Sequence, residues 1–153
     1  MTSKYASNAI DAARYEWAQL LAATGNIATD LTSPRIECGW ARRAIVRVDL
    51  TGFTRPDADE TLDIRVQTSY NGGTDWADVE ALRRSAAGAV ILLFVVERPQ
   101  SSAVARTETD NTLAVGSRND LPPGTHLRVR FDLTDPLNAD STYAVNVEVF
   151  LQA

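Results

Sequence analysis

An antiparallel all-β fold, a β-sandwich or jelly roll of about seven or eight strands, is what the sequence predicts, on three observations. Leu62, Ile64, Val66 and Thr68 alternate with Asp63, Arg65, Gln67 and Ser69, the period of two that half-buries a strand. Other segments alternate in the same way, separated by turn residues at short intervals. Nowhere does a strand–helix–strand rhythm announce a parallel sheet. Residues 1–25 stand outside the pattern as an N-terminal extension, and residues 26–153 read as one β-sandwich domain.

Residues 1–25 admit two readings. Ile10, Ala13, Trp17, Leu20 and Leu21 recur at helical spacing, with Asn8 as N-cap and Gly25 just past the end. The rival is an extended arm that becomes a strand near residues 17–21. Periodicity favours the helix. In either form Tyr5, Ile10, Tyr15 and Trp17 lie outside the β pattern and must bury on this subunit or on another.

Residues 24–31 read as a turn and a short strand, closed by Ser33 and Pro34. A strong strand follows over 42–50. There Ala44, Val46, Val48 and Leu50 face one way, and Arg43, Ile45, Arg47 and Asp49 the other. A polar loop over 54–60 leads into the strand at 62–69 and then a structural hairpin of Ser69, Asn71, Gly72, Gly73 and Trp76. Asn71 and the two glycines tolerate the positive φ that a tight reversal demands. The apolar run 89–96 is too short for a core helix and rich in β-branched residues. It predicts a strand covered on both faces, the second cover being residues 1–25 or a neighbouring subunit. Over 99–124 the pattern breaks, leaving Val104, Leu113 and Val115 as anchors of a long excursion. The last two strands are clean. Leu127, Val129, Phe131 and Leu133 alternate with polar residues, and so do Tyr143, Val145, Val147, Val149 and Leu151 with their neighbours.

Composition excludes several functions. The 153 residues are 44% hydrophobic and 23% charged, ordinary values for a folded domain. A net charge of −5 opposes direct, sequence-independent binding of nucleic acid. Cys38 is the single cysteine, so no internal disulfide is expected, and no apolar run reaches the roughly 18 residues of a membrane span. Without a signal-peptide pattern, synthesis in a host cytoplasm is expected. His126 is the single histidine and sits on the polar face of a strand, where it reads as solvated, and Cys38 reads as packing. Asp57, Asp59, Glu60 and Asp63 cluster, as do Asp132, Asp135 and Asp140, but neither group has EF-hand spacing. They read as water-facing loops. No catalytic residue, cofactor or metal is assigned, and the chain is not expected to be an enzyme.

Ser69, Asn71, Gly73, Asp75 and Trp76 resemble the Asp-box of sialidases, with Asn71 in place of its aspartate and Asp75 in place of its threonine. That motif closes a hairpin by side-chain-to-backbone hydrogen bonds and buries its aromatic residue. It implies no sialidase activity, and Trp76 reads as a core plug.

The alternating strand 62–69, then Gly72, Gly73, Thr74, Asp75 and Trp76, and the closing strands 127–133 and 143–149 together resemble small β-sandwich structural proteins of tailed-bacteriophage virions. The likeness covers about residues 42–82 and 125–151. It implies a virion structural protein at the capsid surface, foremost a capsid decoration or cement protein bridging capsid subunits. Its implied partners are the major capsid protein and copies of itself, with a trimer favoured. Tyr5, Ile10, Tyr15, Trp17, Val104 and Leu113 are the expected interaction residues. A neck or tail component and a glycan-binding sandwich, with Trp40, Trp76 or Tyr70 stacking on sugar, are the alternatives.

Overall fold

The computed structural model describes residues 14–97, 115–116, 118, 121–136 and 139–153. Among these described residues nine strands follow one another: β1 (Tyr15–Leu21), β2 (Leu31–Thr32), β3 (Ile36–Glu37), β4 (Arg43–Thr54), β5 (Thr61–Ser69), β6 (Ala77–Arg84), β7 (Val90–Glu97), β8 (His126–Thr134) and β9 (Thr142–Gln152). They form a sandwich of two antiparallel sheets. The first has the order β1-β9-β4-β7; the second has the order β2-β8-β5-β6, with β3 also paired to β8. The expected all-β class holds.

The period of two builds the core. Ala44, Val46, Val48 and Leu50 of β4 face Leu62, Ile64 and Val66 of β5, all of them fully buried. Val145, Val147 and Val149 of β9 and Leu127, Val129 and Phe131 of β8 complete the layer. Both sheets therefore meet through aliphatic residues whose burial is the main driving force for folding.

Two expectations change. The helical spacing of Trp17, Leu20 and Leu21 gives way to strand β1, paired with β9 from Tyr15↔Gln152 to Leu21↔Val147. Edge pairing supplies the backbone hydrogen bonds that a helix would have made internally, and tertiary context overrides a short periodic pattern. The expected N-cap Asn8 lies outside the described residues. The run 89–96 is a strand, but not one covered on both faces. As β7 it forms the opposite edge of the first sheet, where Phe94 and Val96 turn inward while Ile91 is 55% and Leu93 66% exposed. Described residues of the N-terminal segment pair at the far edge of that sheet instead of lying over β7.

Two connections carry the chain between sheets side by side. Residues 55–60 run from β4 to β5, and the β8–β9 connection returns the chain from the second sheet to the first. Their departure points are paired, Thr54↔Thr142 in the first sheet and Thr61↔Thr134 in the second. Antiparallel register alone therefore brings residues 57–60 next to residues 135–136 and 139–141.

Candidate functional site

The outer face of the first sheet is apolar in one complete row. Trp17 pairs with Phe150, Phe150 with Ile45, and Ile45 with Val95, so four apolar residues cross all four strands. Tyr15 stacks on Phe150 with ring centroids 5.6 Å apart and is, like Trp17, largely exposed. Leu93 and Ile91 extend the band along β7. Ion pairs bracket it: Arg43 with Glu97 at 3.2 Å on one side, and Arg47 with Glu148 at 3.5 Å and Asp49 at 3.7 Å on the other. An apolar centre with a polar rim is the anatomy of a protein contact surface.

Of the residues expected to interact, Tyr15 and Trp17 are on this face, while Tyr5, Ile10, Val104 and Leu113 lie outside the described residues. Ile45, Leu93, Val95 and Phe150 were missed. Their signal was present in the sequence as apolar residues at positions where an alternating strand turns polar, such as Phe150 beyond Glu148 and Ile45 between Arg43 and Arg47.

On the outer face of the second sheet the side chains are polar and mutually paired. Arg65 reaches Asp78 at 2.8 Å and Asp132 at 3.3 Å, and Arg83 grips Asp63 with two hydrogen bonds of 2.7 and 2.9 Å. The Gln67 amide donates to Asp78 at 2.7 Å and accepts from Arg128 Nε at 2.7 Å. The Arg128 guanidinium also lies 4.1 Å from the centre of the Trp76 ring.

The hairpin behaves as its motif implies. Ser69 Oγ accepts the N–H of Gly73 at 2.9 Å, and Asn71 Oδ1 accepts that of Asp75 at 2.9 Å. Gly72 and Gly73 take φ of 78° and 89°, the left-handed region that penalises a Cβ. Trp76 is buried, and its indole N–H donates to the Gly73 carbonyl at 3.1 Å. It is buried beneath the turn and Arg128, as the plug reading expects, beside the main inter-sheet cluster. Beside it is a shallow recess of about 10 Å³, room for about one water, lined by Thr68, Tyr70, Asn71, Asp75, Trp76 and Ala77. Small-molecule sites commonly need about 300 Å³ or more. Trp40 packs against the core with Arg14 over its ring at 4.0 Å.

Three side chains that could carry chemistry have distinct surroundings. Cys38 has no exposed surface, its thiol donates to the Gly124 carbonyl at 3.3 Å, and burial pushes it up to about 12. A thiol so placed is no nucleophile. His126 is not the solvated residue expected: its side chain is 12% exposed, with Nδ1 3.0 Å from the Thr125 hydroxyl and Nε2 3.9 Å from Glu37. It opens strand β8 and is flanked there by Glu37 of β3 and Ser69 of β5.

The acidic loops do not simply face water. Asp57, Glu60 and Asp140 offer carboxylate oxygens that all lie within 4.8 Å of one another. Glu60 is completely buried although it sits on a sheet-crossing loop; Asp57 is half-buried and Asp140 exposed. The Asp57 N–H donates to Glu60 Oε2 at 3.2 Å, and the Ser141 N–H donates to Asp135 Oδ2 at 2.8 Å. Arg55 braces the loop by donating to the carbonyls of Glu60 and Ala58. Glu60 Oε1 and the Ser141 hydroxyl, both out of contact with solvent, make no hydrogen bond. Sequence spacing separates Glu60 from Asp140 by the length of four strands, so only the paired crossovers reveal the group.

No protein-family model matches the chain, and no curated protein matches it. Two of the solved structures similar to it differ widely in source. One is a chain of the cryo-EM structure of broad bean stain virus, with 17% identity and a TM-score of 0.41 over 78% of this chain and 62% of that one. The present chain thus spans under two thirds of the length of that match. The other is the CBM36-1 domain of a multidomain xylanase from the hindgut metagenome of Trinervitermes trinervoides, with 8% identity and a TM-score of 0.40 over 92% of this chain and 98% of that domain. Both likenesses bear on the β-sandwich fold alone.

Proposed function

We propose that this chain is a virion structural protein, a capsid decoration or cement protein that stabilises a phage head by bridging capsid subunits. The observation that carries the reading is the apolar row Trp17, Phe150, Ile45 and Val95, flanked by exposed Tyr15, Ile91 and Leu93 and rimmed by ion pairs. A bridging protein works by adding contact area across seams, and a flat apolar sheet face with a polar rim supplies it. The likeness of the hairpin and closing strands to phage β-sandwich proteins sets the kind of partner: the major capsid protein, with further copies of this chain in a symmetric trimer. On this reading the protein acts at the capsid surface, without catalysis, a cofactor, a membrane or direct contact with nucleic acid.

Co-sedimentation with empty particles of the cognate capsid protein tests this. Saturable binding is expected, weakened at least tenfold in the double variant Trp17→Ser/Leu93→Ser. Absence of co-sedimentation, or full binding by that variant, would overturn the proposal. A second reading, a glycan-binding module, draws on the same exposed aromatic pair, Tyr15 and Trp17. Saturable quenching of tryptophan fluorescence by oligosaccharides, without any particle binding, would favour it.

A further inference from the structure

We propose that the two sheet-crossing loops hold a calcium ion between them, through carboxylate oxygens of Asp57, Glu60 and Asp140. This is a second site, at the end of the sandwich, and it does not depend on what the outer sheet face binds.

The buried oxygen comes first. Glu60 has no accessible surface, yet its Oε1 has no hydrogen-bond partner. An acceptor hidden from water and left unused is costly, and native structures rarely tolerate one without a cation, a donor or an ordered water. The Ser141 hydroxyl, equally buried and equally unused, belongs to the same corner. One unsatisfied oxygen thus belongs to the carboxylates themselves, and a second, from the other loop, accompanies them.

Spacing then selects the ion. Oxygens bound to one Ca²⁺ at about 2.3–2.6 Å can stand up to about 5 Å apart, and those on Mg²⁺ at about 2.1 Å only to about 4.2 Å. The 4.8 Å span of the three carboxylate oxygens fits the larger ion. All the donors are hard oxygens, which disfavours zinc and copper. Charge points the same way. Three carboxyl groups with oxygens within 4.8 Å of one another repel when ionised. A divalent cation would relieve that repulsion. Bound there, it would tie the β4–β5 connection to the β8–β9 connection and so clamp one sheet to the other.

Isothermal titration of the chelator-treated full chain with CaCl₂ tests the site, with thermal melting in EDTA and in CaCl₂ alongside. Saturable binding is expected with a dissociation constant of about 10⁻⁵–10⁻³ M, the range of sensor and extracellular calcium sites. The melting temperature should rise with CaCl₂ and respond less to equal MgCl₂. Asp140→Asn and Asp57→Asn, at accessible positions that spare the buried Glu60, should each lower affinity at least tenfold while the EDTA melt stays cooperative. No binding at millimolar CaCl₂, or undiminished binding by both variants, would overturn the proposal.

Discussion

The two outer faces of this sandwich solve opposite problems. The second sheet covers its exterior with its own charges: Arg65 serves Asp78 and Asp132, Arg83 serves Asp63, and Gln67 links Asp78 to Arg128. Every such group is satisfied from within the sheet, so the face has little left to offer a partner. The first sheet leaves Tyr15, Trp17, Ile91 and Leu93 exposed around a half-buried apolar row. Polar groups there pair on either side of that row. One exterior is finished by folding; the other is finished by contact.

That contrast can be broken at its strongest point. Replacing Arg65 by Met leaves Asp78, only 2% exposed at its side chain, without its central cation. Removing one partner of a buried pair commonly costs about 3–5 kcal/mol, so a loss of about 3 kcal/mol is expected in urea unfolding. A loss below about 1 kcal/mol would mean that the lattice contributes little beyond solubility. The hairpin at one end of the same sheet gives a smaller test. Ser69→Ala removes the oxygen that accepts the Gly73 N–H, and about 1–2 kcal/mol is expected for the donor left unpaired. The least change in stability belongs to the apolar exterior. Trp17→Ser/Leu93→Ser should alter unfolding by at most about 0.5 kcal/mol per site, although the same variant is expected to lose particle binding. A much larger destabilisation would mean that this face is stabilised within the monomer.

The inner faces were legible residue by residue, because alternation in 42–50, 62–69, 127–133 and 143–151 marks which side each residue takes. Turn chemistry was equally legible: Ser69, Asn71 and Gly73 make the bonds their spacing implied. What escaped was set by pairing between distant segments. Trp17, Leu20 and Leu21 carry a spacing that fits a helix, and only the free edge of β9 makes them a strand. The run at 89–96 shows apolar residues on both faces but not which face has a cover within the chain. The acidic corner depends on two loops meeting because Thr54 pairs with Thr142 and Thr61 with Thr134, a register that local patterns do not encode.

The placement of β9 between β1 and β4 governs when the molecule can fold. The first sheet lacks one of its two central strands until residues 142–152 have left the ribosome, and Tyr15 must then find Gln152, 137 positions further along. Such distant pairing makes for a slow, late closure. Until it occurs, the flanks of β4 and β1 remain open templates for pairing with another chain.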